Sequence, residues 1–283
     1  MSEFAASYLH LESKELVDHL LNAAGQKEQP QVNPHDLLEF LKLQYMSVDF
    51  ATELAPVARE TFDGITPRAM ISFHDRLIAS DQSLSENRTR FSVLHEIGHY
   101  ILPQHQNSLY VCDEVDMSFR THLTYEQEAN RVAADLLFLG ERFEMEANSR
   151  PVTASTVKLL AGQFGASFEA TGRRMVERSY RPYLFVSFTD GSNWGGNCGA
   201  EPQWKIRYCI PSPSFSNRYF QKLTQGIVPT EVWAKISTPG RDLDQSETLT
   251  VQISCVTDAQ PLPFHAEYFY NRYNVFCFLR PET

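Results

Sequence analysis

The chain has 283 residues, a net charge of −10, 42% hydrophobic content and 12% aromatics. That length suggests two or three units, and that much apolar side chain excludes a disordered protein. The longest apolar runs are too short to span a bilayer, and the N-terminus lacks a basic segment followed by an apolar one. Five scattered cysteines suit a reduced compartment, so the expectation is a cytoplasmic protein with no membrane partner.

The first half reads as mainly helical. "KELVDHLLNAAG" has helical apolar spacing and stops at Gly25. "NPHDLLEFLKLQ" begins a second helix, with Asn33 as N-cap and Pro34 in the first position. "AMISFHDRLIAS" predicts a short hairpin turning at His74-Asp75. "SLSENRTRFSVLHEIGHYIL" predicts a helix opened by a capping box of Ser83 and Glu86, and "YEQEANRVAADLLFLGERF" predicts another. Two helical patterns then meet at Phe164-Gly165-Ala166, the outline of a helix-turn-helix. From Arg181 onward, "YLFVSF", "WKIRYCI", "TLTVQISCV" and "YNVFCFL" read as strands. The fold class expected is α+β. It comprises a mainly helical domain over 1–150, a helix-turn-helix unit over 151–180 and a β-rich domain over 181–283.

"HEIGH" carries the chemistry. On a helix His95 and His99 project from one face, at a spacing that lets two imidazoles reach one Zn²⁺. Glu96 then stands beside the metal as general base. The plainer alternative is a pair of half-buried histidines on an amphipathic helix. A catalytic zinc needs a third protein ligand. His105 has the six-residue offset of a longer zinc pattern, but Leu102 and Pro103 stand where that pattern needs a turning glycine. Glu126 shares a helix face with Asn130 and is the favoured ligand; Glu128 and His105 stay open as alternatives.

"RTRFSVLHEIGHYIL" followed by "EQEANRVAADLLF" resembles the ImmA/IrrE family of bacterial zinc metallopeptidases over about residues 30 to 145. Val132 and Phe138-Leu139 depart from the family pattern, at packing positions. The resemblance implies Zn²⁺ as cofactor, His95, His99 and Glu126 as ligands, and Glu96 as catalytic base. It also implies a bacterial, cytoplasmic regulatory endopeptidase. Its substrate would be a helix-turn-helix transcriptional repressor whose loss induces a stress or defence operon. "LLAGQFGASFEATGRRM" is similar to the helix-turn-helix of longer family members, in which a GAF-like sensor domain follows.

Two features are candidate controls. Cys112 lies between the ligand segments, where a thiolate could take the open zinc position. Residues 150–222 hold ten Lys/Arg against four acids, so this stretch is +6 and the remainder −16. Its cations, among them Arg173, Arg174, Arg178, Arg181, Lys205, Arg207, Arg218 and Lys222, are interleaved with aromatics. Such a surface suits single-stranded DNA, the candidate activator. The competing reading is a DNA-binding regulator, or a ligand sensor, whose zinc domain cuts nothing.

Overall fold

The structure, a computed structural model, describes residues 12–53, 67–105, 119–190, 204–219, 246–253, 262–271 and 274–282. The chain forms two compact units, Met1–Phe143 with Gln163–Ala166, and Glu144–Gly162 with Ser167–Thr283. It is a mixed α+β protein, helical through the first unit and sheet-rich toward the C-terminus. Among the described residues no helix is long and apolar enough to cross a membrane.

In the first unit, α1 (Ser13–Ala23) buries Leu16, Val17, Leu20 and Leu21 along one face. It ends as the sequence indicates. Gly25 takes a φ of +65°, and the Gln26 and Gly25 amides close on the Leu21 and Asn22 carbonyls. Helix α2 (Pro34–Phe40) is capped by Asn33, whose side chain accepts from the His35 amide. Strand β1 (Gln44–Val48) follows, then the short helix α3 (Phe50–Glu53) and the hairpin of β2 (Ala69–Ser72) and β3 (Leu77–Asp81). The hairpin matches its sequence signal, with Arg76 at a φ of +53° in the turn. Strand β1 pairs in parallel with β3, giving the order β1-β3-β2.

Helix α4 (Glu86–Ile101) lies against β2 and β3, and α5 (Phe119–Leu137) lies against α4. The capping box expected from Ser83 does not form. The N-cap is Ser85, because Asp81 at the end of β3 accepts from the Ser83 amide at 2.7 Å and holds Ser83 in a turn. Glu86 pairs instead with Arg90 at 3.3 Å, the ordinary i,i+4 contact. The helix read through Phe143 breaks after Leu137. Leu139 and Gly140 both adopt positive φ, and α6 (Glu141–Asn148) starts afresh. Phe164, at the end of α7 (Ala154–Phe164), joins Phe138 and Phe143 in an aromatic cluster with centroids 4.4 to 6.1 Å apart.

The second unit is built on an antiparallel sheet of β4 (Leu184–Asp190), β5 (Trp204–Pro211), β6 (Ser246–Ile253), β7 (Leu262–Tyr270) and β8 (Asn274–Pro281), in the order β5-β4-β8-β7-β6. β8 runs between β4 and β7, and its Val275 to Leu279 are all buried, which is why that segment reads as an unbroken apolar run. Helix α8 (Phe168–Glu177) packs on β4 and β5, and α9 (Pro213–Arg218) on β5. Phe168 meets Phe269, Phe276 and Phe278, while a Cβ on Gly172 would come within 3.1 Å of the Phe278 ring. The sequence shows no signal for β7, since Pro263 and the buried Glu267 interrupt its apolar pattern.

Candidate metal centre

The site grows from one close helix contact. A Cβ on Gly98 would stand 3.1 Å from the Ala129 carbonyl oxygen and 3.4 Å from the Val132 side chain. Glycine inside a helix costs about 1 kcal/mol relative to alanine, and here that loss lets α4 and α5 approach backbone to backbone. The contact lies between His95 and His99 on one helix and faces the turn of the other that bears Glu126.

His95 Nε2 and His99 Nε2 are 3.1 Å apart. Glu126 bridges them, with Oε2 at 3.2 Å from His95 and Oε1 at 3.4 Å from His99. A tetrahedral zinc with bonds of about 2.0–2.1 Å has ligand–ligand edges of about 3.3–3.4 Å, so the three donors fit that ion. Among the described residues they form the one cluster of His, Cys, Asp or Glu able to hold a metal. The hydrogen bonds from both histidines hold the Glu126 carboxyl far below its ordinary range. Burial works to lower the His95 pKa, but the Glu126 bond, the charges of Glu96 and Glu126, and Asn130 together raise it. Asn130 thus serves His95, on the neighbouring helix, as a hydrogen-bonding partner.

Glu96 is 8% exposed, and burial raises its pKa against the opposing pull of His95 and His99. A carboxyl whose affinity for a proton is increased this way suits a general base near neutral pH.

The two alternative ligands stand behind His99. His105 sits on the helical turn after Leu102, 1% exposed, with Nδ1 at 2.9 Å from His99 Nδ1. Its Nε2 is 3.0 Å from Glu128 Oε2, which also accepts from Gln104 Nε2 at 3.1 Å. Tyr125 covers the ring at a centroid distance of 4.6 Å. Nothing in the spacing marks this arrangement; His105 and Glu128 each read there as rivals to Glu126. Cys112 lies outside the described residues.

The basic residues of the second unit are dispersed. Arg173 pairs with Glu177 at 2.8 Å, Arg178 with Glu144 at 3.1 Å and Arg207 with Glu169 at 2.9 Å. Arg174 is buried, while Arg181, Lys205 and Arg218 are exposed. Lys222 lies outside the described residues.

No curated protein matches the chain. Among solved structures, a Mycobacterium tuberculosis transcriptional regulator is similar in fold, at 12% identity and a TM-score of 0.58. The match covers 95% of this chain and 75% of that one. Residues 48–176, the stretch that bears both histidines and Glu126, match the model of the IrrE N-terminal-like domain, a peptidase family.

Proposed function

We propose that the protein is a zinc-dependent regulatory endopeptidase. Its substrate is a helix-turn-helix transcriptional repressor, and cutting that repressor induces a stress- or defence-related operon. The observation that carries this reading is the convergence of His95 Nε2, His99 Nε2 and Glu126 within 3.4 Å of one another, beside a buried Glu96. The match of residues 48–176 to a peptidase domain supports it. Bound there, zinc supplies Lewis acidity, polarising a peptide carbonyl and acidifying water. Glu96 takes a proton onto its carboxylate and returns it to the leaving amine. His95 and His99 would hold the ion through Nε2, with Glu126 as the anionic third ligand.

The reading includes single-stranded DNA as activator, supported by the +6 charge of residues 150–222 and the exposure of Arg181, Lys205 and Arg218. Its rival is a DNA-binding regulator, or a ligand sensor, with a non-proteolytic zinc domain. Glu96→Gln separates the two. In an enzyme this variant keeps one zinc per chain and loses repressor cleavage by about 10²–10⁴-fold. Unchanged regulation of the operon by Glu96→Gln in cells would favour the rival.

A further inference from the structure

We propose that His105 and Glu128 are positioning residues that act on the metal through His99. This rests on the zinc reading above and assigns a role to two side chains that touch neither the metal point nor a substrate. His99 turns Nε2 toward Glu126 and His95, so its Nδ1 is left facing His105. A neutral ligating imidazole carries its proton on the nitrogen that does not ligate. His99 Nδ1–H therefore donates to His105 Nδ1 at 2.9 Å. Accepting there leaves His105 its proton on Nε2, which donates to Glu128 Oε2 at 3.0 Å. Each donor in the chain has one acceptor, and reversing any link would set two protons or two lone pairs face to face.

Three observations separate this relay from an incidental surface contact. His105 is almost wholly buried, its ring is held against Tyr125, and Gln104 donates to the same carboxylate oxygen. A metal-bound histidine usually donates its second N–H directly to a carboxylate or carbonyl. Here a second imidazole is inserted, so the charge of Glu128 reaches His99 only through a neutral ring. The consequences are a fixed ring plane and tautomer for His99, and a more basic Nε2.

The experiment uses the full chain. Zinc affinity is measured by competition with a chromogenic chelator, and the ligand field by the visible spectrum of the cobalt-substituted protein. His105→Phe keeps the ring volume and the Tyr125 contact but removes both nitrogens. It should weaken zinc about 10–100-fold and change the cobalt spectrum, while the metal-free protein melts as wild type does. Glu128→Ala should follow it. Glu128→Gln, which still accepts from His105, should retain most of the affinity, a rescue that loss of packing would not give. Glu128 is 35% exposed, so its variants carry the test if His105→Phe fails to fold. Equal zinc affinity and equal cobalt spectra in wild type and Glu128→Ala would overturn the relay alone. A wild-type protein that binds no zinc would overturn the metal reading, and the relay with it.

Discussion

The helix pair α4–α5 and the sheet unit respond differently to being read as a sequence. On α4, His95 and His99 are four residues apart, and helical periodicity alone brings their rings to 4.7 Å. The sheet unit also presents chemically suggestive residues, cations interleaved with aromatics, but there the partner decides what each does. Arg173, Arg178 and Arg207 each meet a glutamate, and Arg174 is buried. Two of those glutamates, Glu144 and Glu169, come from elements remote in the chain from the arginines they hold. Local spacing therefore brings candidate ligands together, whereas a charge count does not say which cations are held by a carboxylate.

The sharpest way to break this contrast is to disturb the tertiary contact on which even the candidate ligands depend. Gly98→Val puts a branched carbon where the Ala129 carbonyl is already 3.1 Å from an ideal Cβ. Backbone cannot turn aside as a side chain tip can, so α5 must shift. Overpacking of this kind costs about 1–3 kcal/mol, more than the roughly 0.5 kcal/mol gained by replacing a helical glycine. Unfolding in denaturant should show a net loss of about 2 kcal/mol, and zinc affinity should fall as Glu126 withdraws from the histidines. A variant as stable as wild type and with full zinc affinity would mean that the helices are not set by this contact.

Much of the site was legible for a physical reason. Ligand residues on one helix share a face by periodicity, and the choice of Glu126 over its rivals followed from its helix face. The relay was not legible, because His105 and Glu128 meet only once α4, the turn after Leu102 and α5 are assembled. Caps were read correctly where only neighbours compete, as at Asn33, and incorrectly at Ser83, where Asp81 from the preceding strand takes the amide. Strand β7 went unread because Glu267, a poor strand residue by composition, is buried accepting from the Ala154 amide.

Single-stranded DNA sharpens the contrast from the other side. If the second unit binds it, the exposed Arg181, Lys205 and Arg218 should carry the phosphate contacts, while Arg173, Arg178 and Arg207 are already partly neutralised. Replacing the exposed three by alanine should reduce the slope of log affinity against log salt by about 2, at ~0.7 per lost contact. Replacing the paired three should change it by less than half as much. Oligonucleotide titrations at several salt concentrations measure both. Equal slopes in the two triple variants would detach the exposed cations from DNA altogether.

The smallest effect tests what the paired cations do instead. Glu169 on α8 accepts from both the Tyr208 hydroxyl and Arg207 on β5, so one carboxylate ties the helix to the edge of the sheet. Burial, and then the Glu169 bond and charge, push the Tyr208 pKa well above its ordinary value, so the phenol stays protonated and donating. Tyr208→Phe deletes a bond to a charged acceptor that is itself only 30% exposed, and should cost about 1 kcal/mol in a denaturant titration. Arg207→Ala removes a 38%-exposed partner screened by solvent, and should cost no more than about 0.5 kcal/mol. The double variant should lose more than the sum, because Glu169 then keeps neither donor. Strict additivity would mean that Glu169 finds water as readily as its protein partners, and that Arg207 does not brace the fold.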